Sequence, residues 1–150
     1  MSVEIVESTE PNTAAGAASG AGRSPGHLAD VITSAFTRFA DRPAFATRDG
    51  GPDGPYRGTT YGQVWHRVTA LTAAWREELQ PGDFVAVLGF TSPDFVVVDL
   101  ATTLLGAPNV PLQAGAPAAR IAAILDETAP KILAVSAAQL PLARAAVAES

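Results

Sequence analysis

At 150 residues and 47% hydrophobic content, the chain is long enough to bury one core and lacks the composition of a disordered polypeptide. Fifteen acids against ten bases give a net charge of -5. The bases are nine arginines and the single Lys131 with no basic run, which excludes nucleic acid and anionic membrane as partners of choice. The absence of cysteine removes disulfides, thiolate nucleophiles and cysteine-based zinc sites, and fits a reducing compartment. The opening MSVEIVESTE is acidic with no apolar signal core, which argues for a cytoplasmic location over secretion.

Residues 1–25 are rich in Ala, Gly, Ser and Thr without an apolar period, so they are expected to be a flexible, disordered leader, with the folded part at 26–150. Between His27 and Phe39 the spacing of Leu28, Val31, Ile32, Ala35, Phe36 and Phe39 is helical, and Asp41 and Pro43 end the segment. A brief strand, 44–47, follows. Residues 49–58 hold four glycines and two prolines, the mark of a hairpin loop between short strands. Thr60 and Gln63 form a capping box, and the helix they open puts Val64, Val68, Leu71, Trp75 and Leu79 on one core face. Pro81 and Gly82 turn the chain into the next strand.

Residues 84–88, FVAVL, are too apolar for a half-exposed strand and suit a parallel strand covered on both faces. Ser92 is placed as an N-cap, Pro93 has the fixed φ wanted at the first helical position, and Asp94 complements the positive end of the helix dipole. Gly106 supplies a left-handed stop after Leu105. Pro108 and Pro111 bracket a short strand with edge character. Residues 100–119 are free of charge but broken by Gly106, Pro108, Pro111, Gly115 and Pro117, so they are not a membrane span. Pro117 opens another helix with Ile121, Ile124 and Leu125 inward and Asp126 and Glu127 near its end. Residues 131–135 form a third apolar strand. Ser136 is a candidate cap for a last helix through Leu140, Leu142, Ala145 and Val147, although Pro141 argues for a later start. Strand and helix alternating three times over short links imply an α/β fold, an incomplete doubly wound and mainly parallel sheet flanked by helices.

The only stretch placed like a phosphate cradle, between a strand and a helix, is Gly89-Phe90-Thr91-Ser92. One glycine, a bulky Phe90 and no following lysine make it a poor nucleotide loop, and Ser92 reads more simply as a cap. Gly16, Gly20 and Gly22 precede the folded part and are linker residues. His66 lies on the face of its helix opposite Val64, Val68 and Trp75, with no second ligand at metal spacing, and His27 sits near a helix start; both read as solvated. Ser92, His66 and Asp99 make no triad, since the G-x-S-x-G elbow is missing. Asp94 and Asp99 are better assigned to a helix dipole and a helix edge than to paired acid/base work. Trp65 and Trp75 read as core and flanking aromatics, because no basic residues are interleaved with them.

Thr59–Trp65 (TTYGQVW), Pro81–Ser92 (PGDFVAVLGFTS) and Leu105–Gln113 (LGAPNVPLQ) occur in order, and together they resemble the start of the adenylation region of the adenylate-forming, AMP-binding superfamily, above all the carboxylic acid reductases. The resemblance runs from about Gly26 onward; Ala114, Gly115 and Ala116 stand where Thr-Ser-Ala or similar is expected. It implies a partial AMP-binding domain over 26–150 and, for a complete enzyme, ATP-dependent activation of a carboxylic acid to an acyl adenylate, transfer to a phosphopantetheine thiol and reduction by NADPH. The family's Gly-rich loop with its lysine, its magnesium-binding Glu, its ribose-binding Asp and its C-terminal lysine have no match here. Lys131 follows Thr128-Ala129-Pro130, not a glycine-rich loop. No catalytic, cofactor-binding or metal-binding residue is therefore assigned within the chain. ATP, Mg, phosphopantetheine and NADPH belong to the parent family.

The chain thus reads as the N-terminal fragment of an acid-activating enzyme, truncated and inactive alone, and self-associating through apolar surface made to pack on the rest of its subdomain. Two alternatives stay open: a fragment of a fatty acyl-CoA or acyl-AMP ligase, and a non-catalytic α/β interaction module.

Overall fold

The computed structural model describes residues 3–7, 27–48, 50–51 and 53–150. The elements run β1 (Val3–Glu7), α1 (Leu28–Arg38), β2 (Pro43–Arg48), β3 (Tyr56–Thr60), α2 (Tyr61–Trp75), β4 (Val85–Leu88), α3 (Pro93–Leu105), β5 (Asn109–Leu112), α4 (Ala118–Thr128), β6 (Ile132–Ser136), a 3-10 turn (Ala137–Gln139) and α5 (Leu140–Glu149). The main sheet has the order β1-β6-β4-β5. β4 pairs in parallel with β5 on one side, Val85 opposite Asn109, and with β6 on the other, Val85 opposite Ile132. β2 and β3 form a separate antiparallel hairpin, as the glycine- and proline-rich link between them requires.

All four residues of β4 are buried, because alternate side chains feed different cores. Val85 and Val87, with Ile132 and Ala134 of β6, pack against Trp75, Leu79 and Val98 on the face held by α2 and α3. Ala86 and Leu88, with Leu133 and Val135, pack against Ile121, Leu125, Ala143 and Ala146 on the face held by α4 and α5. A third cluster, Val64, Val68, Val97 and Ala101, joins α2 to α3. At about 1.5–3 kcal/mol for each large side chain removed from water, these contacts dominate the fold's stability. Helices on both faces of a parallel sheet make this the doubly wound arrangement expected from the alternation. β5 is an edge strand, in keeping with Pro111 inside it.

The local punctuation is realised. Thr60 Oγ1 accepts from the Gln63 N–H at 3.2 Å while Gln63 Oε1 accepts from the Thr60 N–H at 2.9 Å, closing the capping box. Ser92 Oγ accepts from the Phe95 N–H at 3.2 Å, with Pro93 in the first turn of α3. That helix ends on Gly106 at φ 71°, and the Ala107 N–H reaches back to the Thr102 carbonyl at 3.0 Å, a Schellman-type closure.

Two expectations are corrected. The leader assigned to residues 1–25 begins with a strand, since Val3–Glu7 pairs antiparallel with β6, Val3 opposite Ser136 and Glu7 opposite Ile132. Its remainder lies outside the described residues. The physical reason is the open ladder on the outer side of β6, where an extended segment satisfies N–H and C=O groups whatever its composition. Ser136 caps nothing: its side chain makes no cap bond, and a 3-10 turn carries the chain to α5, whose first turn takes Pro141. Helix α1 has no buried residue. It is held to α2 by Phe36, whose ring meets Tyr61 edge-on at 5.0 Å and lies 5.7 Å from Trp65.

Helix α4 ends as α3 does, in the left-handed region, but on Ala129 at φ 42°, directly before Pro130. A Cβ in that conformation costs about 1–2 kcal/mol, against the smaller entropic penalty of glycine. Ala129→Gly is therefore expected to raise unfolding stability by about 0.5–1 kcal/mol, and Gly106→Ala to lower it by about 1 kcal/mol. Urea midpoints for the two variants, measured side by side, check the opposite signs.

Candidate functional site

On leaving β4 the chain passes to α3 on one face of the sheet, and on leaving β6 it passes to α5 on the other. Where neighbouring parallel strands send their connections to opposite faces, a crevice opens at their carboxyl ends, the usual ligand position in such sheets. Here one rim is built by Gly89, Phe90, Ser92 and Asp94 and the other by Val135 and Ser136. Gly89 faces Ser136 across the strand ends: a Cβ on it would stand 3.4 Å from the Ser136 Cβ and 3.5 Å from its Oγ, an ordinary van der Waals contact. The crevice encloses about 20 Å³, room for about one water molecule.

Two of the three polar side chains at this crevice are engaged in structure. Ser92 Oγ holds the Phe95 N–H at 3.2 Å. The Asp94 carboxylate at the start of α3 accepts from the Arg67 guanidinium of α2. This pair joins two helices and places negative charge at the positive end of α3, where an anionic ligand would have to sit. With the Arg67 side chain 44% exposed, its contribution is that of a surface ion pair, about 0–1 kcal/mol. Ser136 Oγ is buried and has no hydrogen-bond partner among the described residues.

The remaining candidates are scattered. His66 is exposed on α2 and shares a shallow outer surface with Arg57, Gln63 and Arg67; His27 is exposed ahead of α1. Asp99 Oδ1 accepts from Asn109 Nδ2 at 3.0 Å, so it ties α3 to β5. Ser92 and Asp99 are thus each bonded elsewhere, and no Ser-His-Asp array is assembled. Trp75 is 2% exposed in the core, while Trp65 is half-buried against Phe36. Lys131 donates its backbone N–H to the Phe84 carbonyl at 2.9 Å, a register contact at the start of β6. Arg67 and Asn109 are the residues that sequence reasoning missed. Among the described residues no group of three or more His, Cys, Asp or Glu is arranged to hold a metal ion.

The sequence pattern of the AMP-binding enzymes matches residues 32–150. The chain belongs to the AMP-binding enzyme family. The carboxylic acid reductase of Mycobacterium marinum is 35% identical over 124 residues, covering 73% of this chain and 11% of the reductase. Among solved structures, the A-PCP didomain of the Segniliparus rugosus carboxylic acid reductase, in complex with AMP, superposes with a TM-score of 0.73 at 29% identity over 85% of this chain and 20% of that one. The A domain of the same reductase, in complex with AMP and a co-purified carboxylic acid, gives 0.70 at 30% identity over 81% and 22%. The chain resembles the reductase adenylation domains and spans about a tenth of the length of the curated reductase it matches.

The crevice has a carboxylate at its helix end and the Ser136 hydroxyl at its strand end. The orphaned hydroxyl gives a test. Removing a buried, unpaired polar group is neutral or stabilising, whereas removing one that holds a ligand costs stability. Ser136→Ala is expected to leave the urea midpoint unchanged or raise stability by up to about 1 kcal/mol.

Proposed function

We propose that this chain supplies the opening scaffold of an ATP-dependent, carboxylic-acid-activating enzyme of the carboxylic acid reductase kind, that it is a fragment of such an enzyme, and that it does not perform the activation alone. One observation carries the reading. The chain matches a reductase adenylation domain over 85% of its own length but only 20% of that solved didomain. The engagement of Ser92 as a cap and of Asp94 with Arg67 adds support. Acyl-adenylate formation needs preorganised positive charge around the reacting phosphate, and the crevice of this chain presents none.

On this reading ATP, magnesium, phosphopantetheine and NADPH act in the parent enzyme, whose substrate is a carboxylic acid, and the chain's own part is to hold α2, α3 and the parallel sheet in register. The cysteine-free composition suits a reducing compartment, and we place the chain in the cytoplasm; no helix among the described residues is long and apolar enough to cross a membrane. Leu28 and Val31 on α1 are 63% and 59% exposed. We place there the apolar surface that packs on other parts of the enzyme and lets the isolated chain associate with itself.

The purified chain is expected to show no ATP-pyrophosphate exchange with any carboxylic acid and no stoichiometric AMP in equilibrium dialysis. Exchange above the no-enzyme blank would overturn the scaffold reading. Translation of the coding DNA past Ser150 tests the fragment reading separately, by the presence of a Gly-rich loop followed by lysine.

A further inference from the structure

We draw no further inference here: the strongest candidate, the exposed basic surface that Arg57, His66 and Arg67 form between the β2–β3 hairpin and α2, has its Arg67 guanidinium already committed to the Asp94 carboxylate of α3, and nothing in the structure shows what covers it.

Discussion

Everything in the structure depends on the double burial of β4. Val85, Ala86, Val87 and Leu88 are between 0% and 4% exposed, which forces a layer of helices onto each side of the sheet and a partner strand onto each edge of β4. An antiparallel meander would leave one face to water and waste half of these side chains. The parallel arrangement covers both, and the crossovers α3 and α4 are the layers that do so. Because β5 and β6 stand on opposite sides of β4, the connections leaving β4 and β6 diverge. The crevice lined by Gly89 and Ser136 is thus a consequence of packing before it is anything chemical.

The same packing decides which groups stand at the crevice. β4 and β6 keep their ladder as far as Leu88 opposite Val135, and beyond it a Cβ on Gly89 would stand in ordinary van der Waals contact with the Ser136 side chain. α3 must begin at once, so the hydroxyl of Ser92 goes to the Phe95 N–H and the carboxylate of Asp94 to the Arg67 guanidinium. In a phosphate loop those backbone N–H groups would stay free for an anion. Here the Phe95 N–H is taken by Ser92 and the Asp94 carboxylate stands at the positive end of α3.

What the sequence made legible was everything decided within about four residues. The capping box of Thr60 and Gln63, the Ser92-Pro93-Asp94 start, the Gly106 stop and the delayed start at Pro141 each involve neighbours whose geometry their side chains dictate. The buried faces of α2, β4, α4 and β6 followed from periodicity. What stayed hidden depends on distant partners. Arg67 meets Asp94 across 27 positions, and neither residue type announces the other. Val3–Glu7 was masked by the polar composition around it, since an edge of five free backbone groups recruits a strand without asking for a long apolar run. Ser136 looked like a cap because serine before a helix usually is one; the 3-10 turn of Ala137–Gln139 moves the helix start beyond its reach. The stripe on α1 gave the helix and nothing on its burial, since amphipathicity shows which face seeks cover but not whether cover is at hand.

The position of α5 bears on the edge of β6. α5 packs beside α4, its Ala143 and Ala146 sharing a core with Ile121 and Leu125. The crossover through α4 carries the chain from β5, past β4, to β6. Crossovers between parallel strands of one sheet are almost always right-handed, which accords with α4 lying on one face and α3 on the other as the chain visits β4, β5 and β6. The outer side of β6, beside the face that α4 and α5 share, is closed by β1 running the opposite way.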